Sequence, residues 1–170
     1  MRERTPAGAA ATEVILAVFR ANGLLLASGD QLSAGENLTS ARWQVLGAIA
    51  LADRPLTVPQ IARRMGLTRQ SVHATVKRLI ADGLVELEPN ADHRRSRLVR
   101  MTGLGERRYA AIDKRQIAWA NGLAHGIGRS DLKTAARVLE ELCGRLEAEN
   151  QTATPQGADR RWPNAAARNG

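Results

Sequence analysis

The sequence predicts a mainly α-helical fold that carries one small β-hairpin. Three observations predict it. Two short segments with apolar stripes meet at Gly66, within Val58 to Ala81. Two strand-like pieces follow, separated by a loop rich in Pro, Asn, Asp and Arg from Pro89 to Ser96. Long helical patterns lie before about Ser28 and after Gly105, and neither end can bury its stripe well alone. Together these are the pattern of a winged helix-turn-helix with a helical lobe formed by the N- and C-terminal helices.

Residues 1–9 are expected to be disordered, and residues 10–150 to form a single domain. Thr12 to about Ser28 reads as a helix, with Val14, Val18, Leu25 and Leu26 flanked by Ile15 and Phe19 on a broad apolar face. Burial against the chain's own core is the simplest account of that face. Gly29 to Glu36 reads as a polar loop. Leu38 to Leu51 is the next helix, capped by Thr39 or Asn37, with Trp43, Leu46 and Ala50 along one side. A large aromatic at Trp43 is ordinarily core.

The central module, about residues 38–102, holds the two short helices. Thr57 caps the first, Gln60 completes a capping box, and Pro59 sits in the first turn where a missing N–H costs nothing. Ile61, Ala62 and Met65 share one face. Gly66 ends the helix and Thr68 caps the next, which runs from about Arg69 to Ala81. Val72, Val76, Leu79 and Ile80 form its apolar stripe. Arg69, Gln70, His73, Lys77 and Ala74 lie opposite, where side chains can reach base edges in a major groove. Thr75 and Arg78 lie at the margins, within reach of phosphates. Gly83 suits the turn after the helix.

Leu84 to Leu87 and Arg97 to Met101 read as strands. Arg94 and Arg95, near the tip of the loop between them, suit a minor groove, where negative potential favours arginine. Arg97 at the base is a further candidate contact. Asp92 is unusual in such a loop, and the expectation is that it pins an arginine by a charge-assisted hydrogen bond and so holds the wing in shape.

Gly105 to about Ala124 reads as a long helix, with Ile112, Trp119 and Leu123 along one side. Gly126 to Gly128 breaks it. Ser130 caps a last helix to about Glu149, striped by Leu132, Ala135, Leu139, Leu142 and Leu146. Residues 151–170 are rich in Gly, Pro, Ala, Asn and Arg and read as a disordered tail.

The chain has 170 residues, enough for one core, and a formal net charge of +8. Twelve Arg or Lys against five Asp or Glu fall between Arg54 and Arg108, so most of the excess sits in the central module. Such a balance suits a polyanion, whether DNA, RNA or an anionic membrane. Two amphipathic helices joined at a glycine, or arginines on a wet face, are individually commonplace. A basic module with a polar helix face and an arginine-tipped hairpin is specific in combination. A single cysteine excludes an internal disulfide framework. No uninterrupted apolar run of about 18 residues appears, so no spanning helix or membrane partner is expected. The first residues lack a secretory core, which leaves the cytoplasm as the expected location. His73, His93 and His125 show no ligand spacing with Cys143, so no metal or other cofactor is expected. Cys143 lies near the apolar side of its helix and reads as a small buried residue. No phosphate-binding loop, dinucleotide glycine pattern or nucleophile elbow is present, so enzymatic activity is not expected.

The stretch TRQSVHATVKRLIADGLVELE, continued by NADHRRSRLVRMTGLG, resembles the MarR family of bacterial transcription regulators. The acidic residue followed by paired arginines, then a strand ending in an apolar residue, Thr and Gly, is the most specific part; Asp92, Arg94, Arg95 and Thr102 take those places. The chain departs from the family at Gln70, where many relatives carry proline, and at Gly103 to Gly105, where a proline or acidic residue often opens the next helix. The resemblance implies a homodimer on a pseudo-palindromic operator of double-stranded DNA, a repressor released by a small ligand. The alternative is a protein-interaction or RNA-binding module without ligand response. The resemblance assigns dimerisation to helices over about 10–28 and 105–149, with Val14, Val18, Leu139, Leu142 and Leu146 as candidates. It places a small aromatic or anionic effector between that lobe and the winged module, where Trp43 would stack and Arg42 and Asn22 would supply polar contacts.

Overall fold

The computed structural model describes residues 3–92 and 95–153. The chain divides into two units, Met1–Leu123 and Ala124–Gly170. In the first, helix α1 runs Pro6–Ser33. It begins ahead of Thr12 because Thr5 and Pro6 form a start signal. The Gly8 N–H donates to Thr5 Oγ1 at 3.0 Å, and a proline at the first position forfeits no helix bond. It also continues through Gly29 to Ser33, where the sequence suggested a loop. A Cβ on Gly29 would stand 2.4 Å from Ser40 Oγ, so the glycine permits a close crossing. Asp30 Oδ1 then accepts the Ser40 N–H at 2.6 Å, placing a carboxylate at the start of the next helix. A 3₁₀ turn, Ala34–Glu36, and Asn37 at φ 56° reverse the chain into α2, Ser40–Ala50, capped by Thr39.

Helix α1 also differs from expectation in composition. The helical stretch Pro6–Glu36 is long and apolar enough, by length and composition alone, to cross a membrane, with a mean hydropathy of 1.5 over an 18-residue window within it. Glu13 and Arg20 interrupt the run, so a search for an unbroken apolar stretch passes over it. In the structure α1 packs on α2 and on the long helix α5, Gly103–Leu123. It still leaves Leu16, Phe19 and Leu24 more than half exposed.

The winged module follows the expected order with one added strand. Helix α3 is Val58–Arg64 and α4 is Arg69–Ala81. Gln60 Oε1 accepts from both the Thr57 N–H, at 2.8 Å, and its hydroxyl, and the Ser71 N–H donates to Thr68 Oγ1 at 3.1 Å. Strands β2, Val85–Glu88, and β3, Leu98–Met101, pair antiparallel with Val85 opposite Met101. The unexpected strand is β1, Leu56–Thr57, which pairs antiparallel with β3 and makes it central in the order β1-β3-β2. Two residues carry no readable alternation, so only their pairing with β3 reveals them. The core gathers Leu38 ahead of α2, Val45 and Leu46 of α2, Ile61 of α3, Val72, Val76 and Leu79 of α4, Val99 of β3 and Ile112 of α5. Trp43 is only half-buried against it.

The wing base and α5 join at one point. Gly83, at φ 68°, ends α4. The Thr102 hydroxyl donates to the Gly83 carbonyl at 2.6 Å, and the Thr102 N–H donates to the Leu84 carbonyl at 3.0 Å. Gly105 is buried against the same backbone; a Cβ there would fall 2.1 Å from the Leu84 oxygen. The Arg108 guanidinium then donates to the Glu36 carbonyl at 2.7 Å, and Arg115 pairs with the Glu36 carboxylate at 3.2 Å.

The second unit contains α6, Arg129–Ala153, after Gly126 at φ 82°. It extends past Glu149, so the first three residues of the expected tail are helical; residues 154–170 lie outside the described residues. Leu132, Leu139 and Leu146 stand exposed one heptad apart, an apolar stripe its own unit leaves open. Cys143 is exposed rather than buried, because its position falls beside that stripe and not under a neighbouring element of its unit.

The Gly105 contact is backbone against backbone, so relief requires strands or helix to move. Gly105→Ala is expected to lower unfolding stability by about 1–3 kcal/mol, read by urea denaturation. Gly103→Ala, whose Cβ would approach only the end of the Arg107 side chain at 3.5 Å, is expected to cost little.

Candidate nucleic-acid interface

Helix α4 exposes its polar side because its apolar stripe is consumed by the core. Val72, Val76 and Leu79 are buried, while Arg69, Gln70, His73, Ala74, Lys77 and Arg78 are exposed. Arg69, His73 and Lys77 recur every fourth residue and so share one face. The wing rises beside the start of this helix. Arg69, Gln70 and His73 line one wall of a groove of about 500 Å³, and Arg95, Ser96 and Arg97 line the other. Val58, Pro59 and Leu87 floor it. Three of the expected helix contacts and two of the expected wing arginines thus converge on one concave surface. Lys77 and Arg78 lie further along the helix, outside it.

Several side chains are already engaged. Thr68 accepts from the Ser71 N–H as the helix cap, and the Thr75 hydroxyl donates to the Ser71 carbonyl at 3.1 Å. Arg97 donates to the Leu87 carbonyl at 2.7 Å, bracing one strand of the wing on the other. The Asp92 N–H donates to Asn90 Oδ1 at 3.1 Å, an Asx turn that shapes the loop. Among the described residues the Asp92 carboxylate forms no ion pair with an arginine. Arg94 and His93 lie outside the described residues. On the other flank of the wing, Arg54 and Arg63 border a second polar cleft with Asn90, Asp92 and Ser96. The sequence carried these arginines only as part of the general positive charge.

Behind α4, Arg42 does something the sequence did not suggest. Its guanidinium pairs with the Asp82 carboxylate at the end of α4 and donates to the Asn37 carbonyl at 3.4 Å. Its side chain is 17% exposed and its Nε is buried without a partner. Burial, then Arg108, then Arg78, hold its pKa below the usual value in spite of the carboxylate. Arg42 is tied to α4, and neither it nor Asn22 is among the residues lining the cleft beside Trp43.

That cleft, about 510 Å³, lies between α2 and α5. Trp43, Gln44, Gly47, Ala48 and Leu51 line it from α2 and its end, and Met65 from the end of α3. Tyr109, Asp113 and Gln116 line it from α5. Burial, and then the Asp113 carboxylate, raise the Tyr109 pKa. The three α5 residues went unnoticed in the sequence because their spacing was masked by the larger apolar side chains at Ile112, Trp119 and Leu123.

A family profile described as MarR family matches residues 36–96. A protein of Mycobacterium tuberculosis is 42% identical over 132 residues, covering 78% of this chain and 91% of that protein. The transcriptional activatory protein BadR of Rhodopseudomonas palustris is 32% identical over 100 residues, covering 56% of this chain and 55% of BadR. This chain belongs to the MarR family. The crystal structure of CouR from Rhodococcus jostii, bound to p-coumaroyl-CoA, superposes with a TM-score of 0.68 at 21% identity, over 74% of this chain and 88% of CouR. At that identity the likeness speaks to the fold alone, the MarR-family winged helix; the family itself is one of DNA-binding transcription regulators.

In this MarR-family chain, Arg42 and Asp82 make a stability test. Asp82→Asn leaves a part-buried guanidinium facing Arg78 and Arg108, and is expected to cost about 1–2 kcal/mol. Arg42→Met removes the buried charge itself and is expected to cost less. Denaturant midpoints check the order, and added salt should partly restore Asp82→Asn by screening the arginines.

Proposed function

We propose that the chain is a homodimeric, sequence-specific regulator of transcription that reads a pseudo-palindromic operator in double-stranded DNA. The observation that carries this is the shared groove: Arg69, Gln70 and His73 on one wall and Arg95 and Arg97 on the other. A helix with that polar face suits the major groove, and the adjoining wing arginines suit the phosphates or the minor groove beside it. Thr68, Thr75, Lys77 and Arg78 extend the phosphate contacts along α4. Arg94, outside the described residues, is proposed as a further contact on the sequence alone, with Asp92 shaping the loop through its turn with Asn90.

Dimerisation is supported by apolar surface that each unit leaves open. On α1 this includes Val18, Phe19 and Leu25, with Val14 beside them; on α6 it is Leu132, Leu139 and Leu146, with Leu142 beside them. A second copy covering these residues would place two recognition helices on one face of a duplex. The regulator works in the cytoplasm, where such duplex DNA is found. A dimer on a promoter blocks it by occupancy, so the output is read as repression, relieved when a small ligand enters the cleft beside Trp43. BadR is by name an activator, and the operator's position relative to the promoter decides between the two outputs. The p-coumaroyl-CoA bound to CouR supports the idea of a small-molecule signal.

The test is fluorescence anisotropy on the chain's own upstream DNA against a shuffled duplex. Specific binding is expected, and equal affinity for both at physiological salt would remove it. Arg69→Ala, Gln70→Ala or His73→Ala should narrow the ratio between the two, each lost bidentate contact being worth about 1–3 kcal/mol. Arg78→Ala should instead weaken both duplexes alike and flatten the salt dependence. Preference for single strands or RNA would favour the rival class.

A further inference from the structure

The cleft between α2 and α5 has a chemistry that selects among ligands. Its volume, about 510 Å³, lies within the range of small-molecule sites, about 300–1,000 Å³. Trp43 and Tyr109 contribute rings, and Leu51, Ala48 and Met65 contribute apolar surface. Among the described residues that line it there is no Lys, Arg or His, and the one charged group is the Asp113 carboxylate. Gln44 donates an amide N–H to Ser40 Oγ at 3.0 Å, which leaves its carbonyl oxygen to accept. Arg42, the nearest guanidinium in sequence, is held away by Asp82 and Asn37.

From this lining we propose that the cleft binds an aromatic or amphiphilic ammonium ion, and discriminates against carboxylates of the same shape. The inference rests on the reading of the chain as a ligand-responsive regulator; of the aromatic or anionic effector that the resemblance implied, it keeps the aromatic alternative and replaces the anionic one. An ammonium group pairs with Asp113 and meets the electron-rich faces of Trp43 and Tyr109. Its ring or chain fills the apolar part over Gly47 and Ala48. A carboxylate would bring a second negative charge beside Asp113, with no Lys, Arg or His among the described lining residues to offset it. The chain's net positive charge does not reverse this preference. The guanidinium that reaches this end of α2, Arg64, is exposed and engaged on the Leu51 carbonyl at 2.8 Å, whereas Asp113 lines the cleft itself.

The site also has a route to the DNA surface. One wall belongs to α5, through Tyr109, Asp113 and Gln116, and the other to α2 and the end of α3, through Trp43, Leu51 and Met65. An occupant touches both, so it favours whichever spacing of α5 and α3 fits it best. Only such a difference in affinity between two arrangements can shift DNA binding.

Three probes of matched shape test the proposal: 2-naphthylmethylammonium, 2-naphthylmethanol and 2-naphthoate. Each is titrated into the full chain by calorimetry at neutral pH, without DNA. The ammonium is expected to bind about tenfold tighter than the naphthoate, with the alcohol between, from an ion pair plus a cation–π contact. Asp113→Asn, with its helical circular dichroism checked, is expected to bring the three within about twofold of one another by removing the ion pair. Naphthoate binding as tightly as the ammonium, no heat from any probe up to millimolar concentration, or a preference that survives in Asp113→Asn each overturns the proposal. Should Asp113→Asn fail to fold, the ranking on the native chain decides alone. Anisotropy on the same preparation without probe reports separately on DNA binding. Loss of that binding beside an intact ranking overturns the regulator reading and leaves the ligand class standing.

Discussion

The backbone carbonyls of Gly83 and Leu84 are where the molecule is tied together. Thr102 donates to both, through its hydroxyl and its N–H, and Gly105 packs on the second. Gly83 ends α4, Leu84 leads into the first wing strand, Thr102 follows the second, and Gly105 belongs to the long helix. Four elements therefore share one small contact made largely of backbone. Backbone groups cannot change rotamer, so the angle between α4 and the wing is inherited from this joint. The groove that brings Arg69, Gln70 and His73 opposite Arg95 and Arg97 depends on that angle. A glycine at 105 is required because any side chain would occupy the place of the Leu84 oxygen.

Electrostatics work on the same joint from behind. Asp82, one residue before Gly83, pairs with Arg42 of α2. Glu36 takes Arg108 through its carbonyl and Arg115 through its carboxylate. These few acids sit where they hold basic side chains in place at the rear, while the arginines facing the groove are left without carboxylate partners among the described residues. An exposed pair such as Arg115 with Glu36 contributes little stability, and the part-buried Arg42 with Asp82 contributes more. Their larger effect is on where positive charge points, and a field unbalanced on one face is what a phosphate backbone meets first.

Much of the fold was legible because it is written in local rules. The Thr57 and Gln60 capping pair, the Thr68 cap, Gly66 and Gly83 at left-handed positions, and the Val72, Val76, Leu79 stripe all follow from chemistry within a few residues. The groove was legible for the same reason, since its walls are the polar complement of those stripes. What escaped depends on distant partners. Strand β1 has two residues and exists because β3 is beside it. Gly29 continues α1 because Ser40 crosses there. Arg42 was read toward a ligand next to Trp43, yet Asp82, forty residues on, holds it elsewhere. Tyr109, Asp113 and Gln116 form a cleft wall only once α2 lies opposite. Nothing local marks such pairings.

The proposed function requires α4 and the wing to form one rigid DNA-reading surface, used twice in a dimer. Hydroxyl-radical footprinting of the native chain on its own upstream DNA tests it most directly. The account predicts two matched protected patches related by an approximate dyad, with centres one helical turn apart, roughly 34–36 Å. Each should carry a flanking protection in the minor groove from the wing. A single unpaired patch, or protection that spreads evenly without boundaries as protein is added, would contradict it.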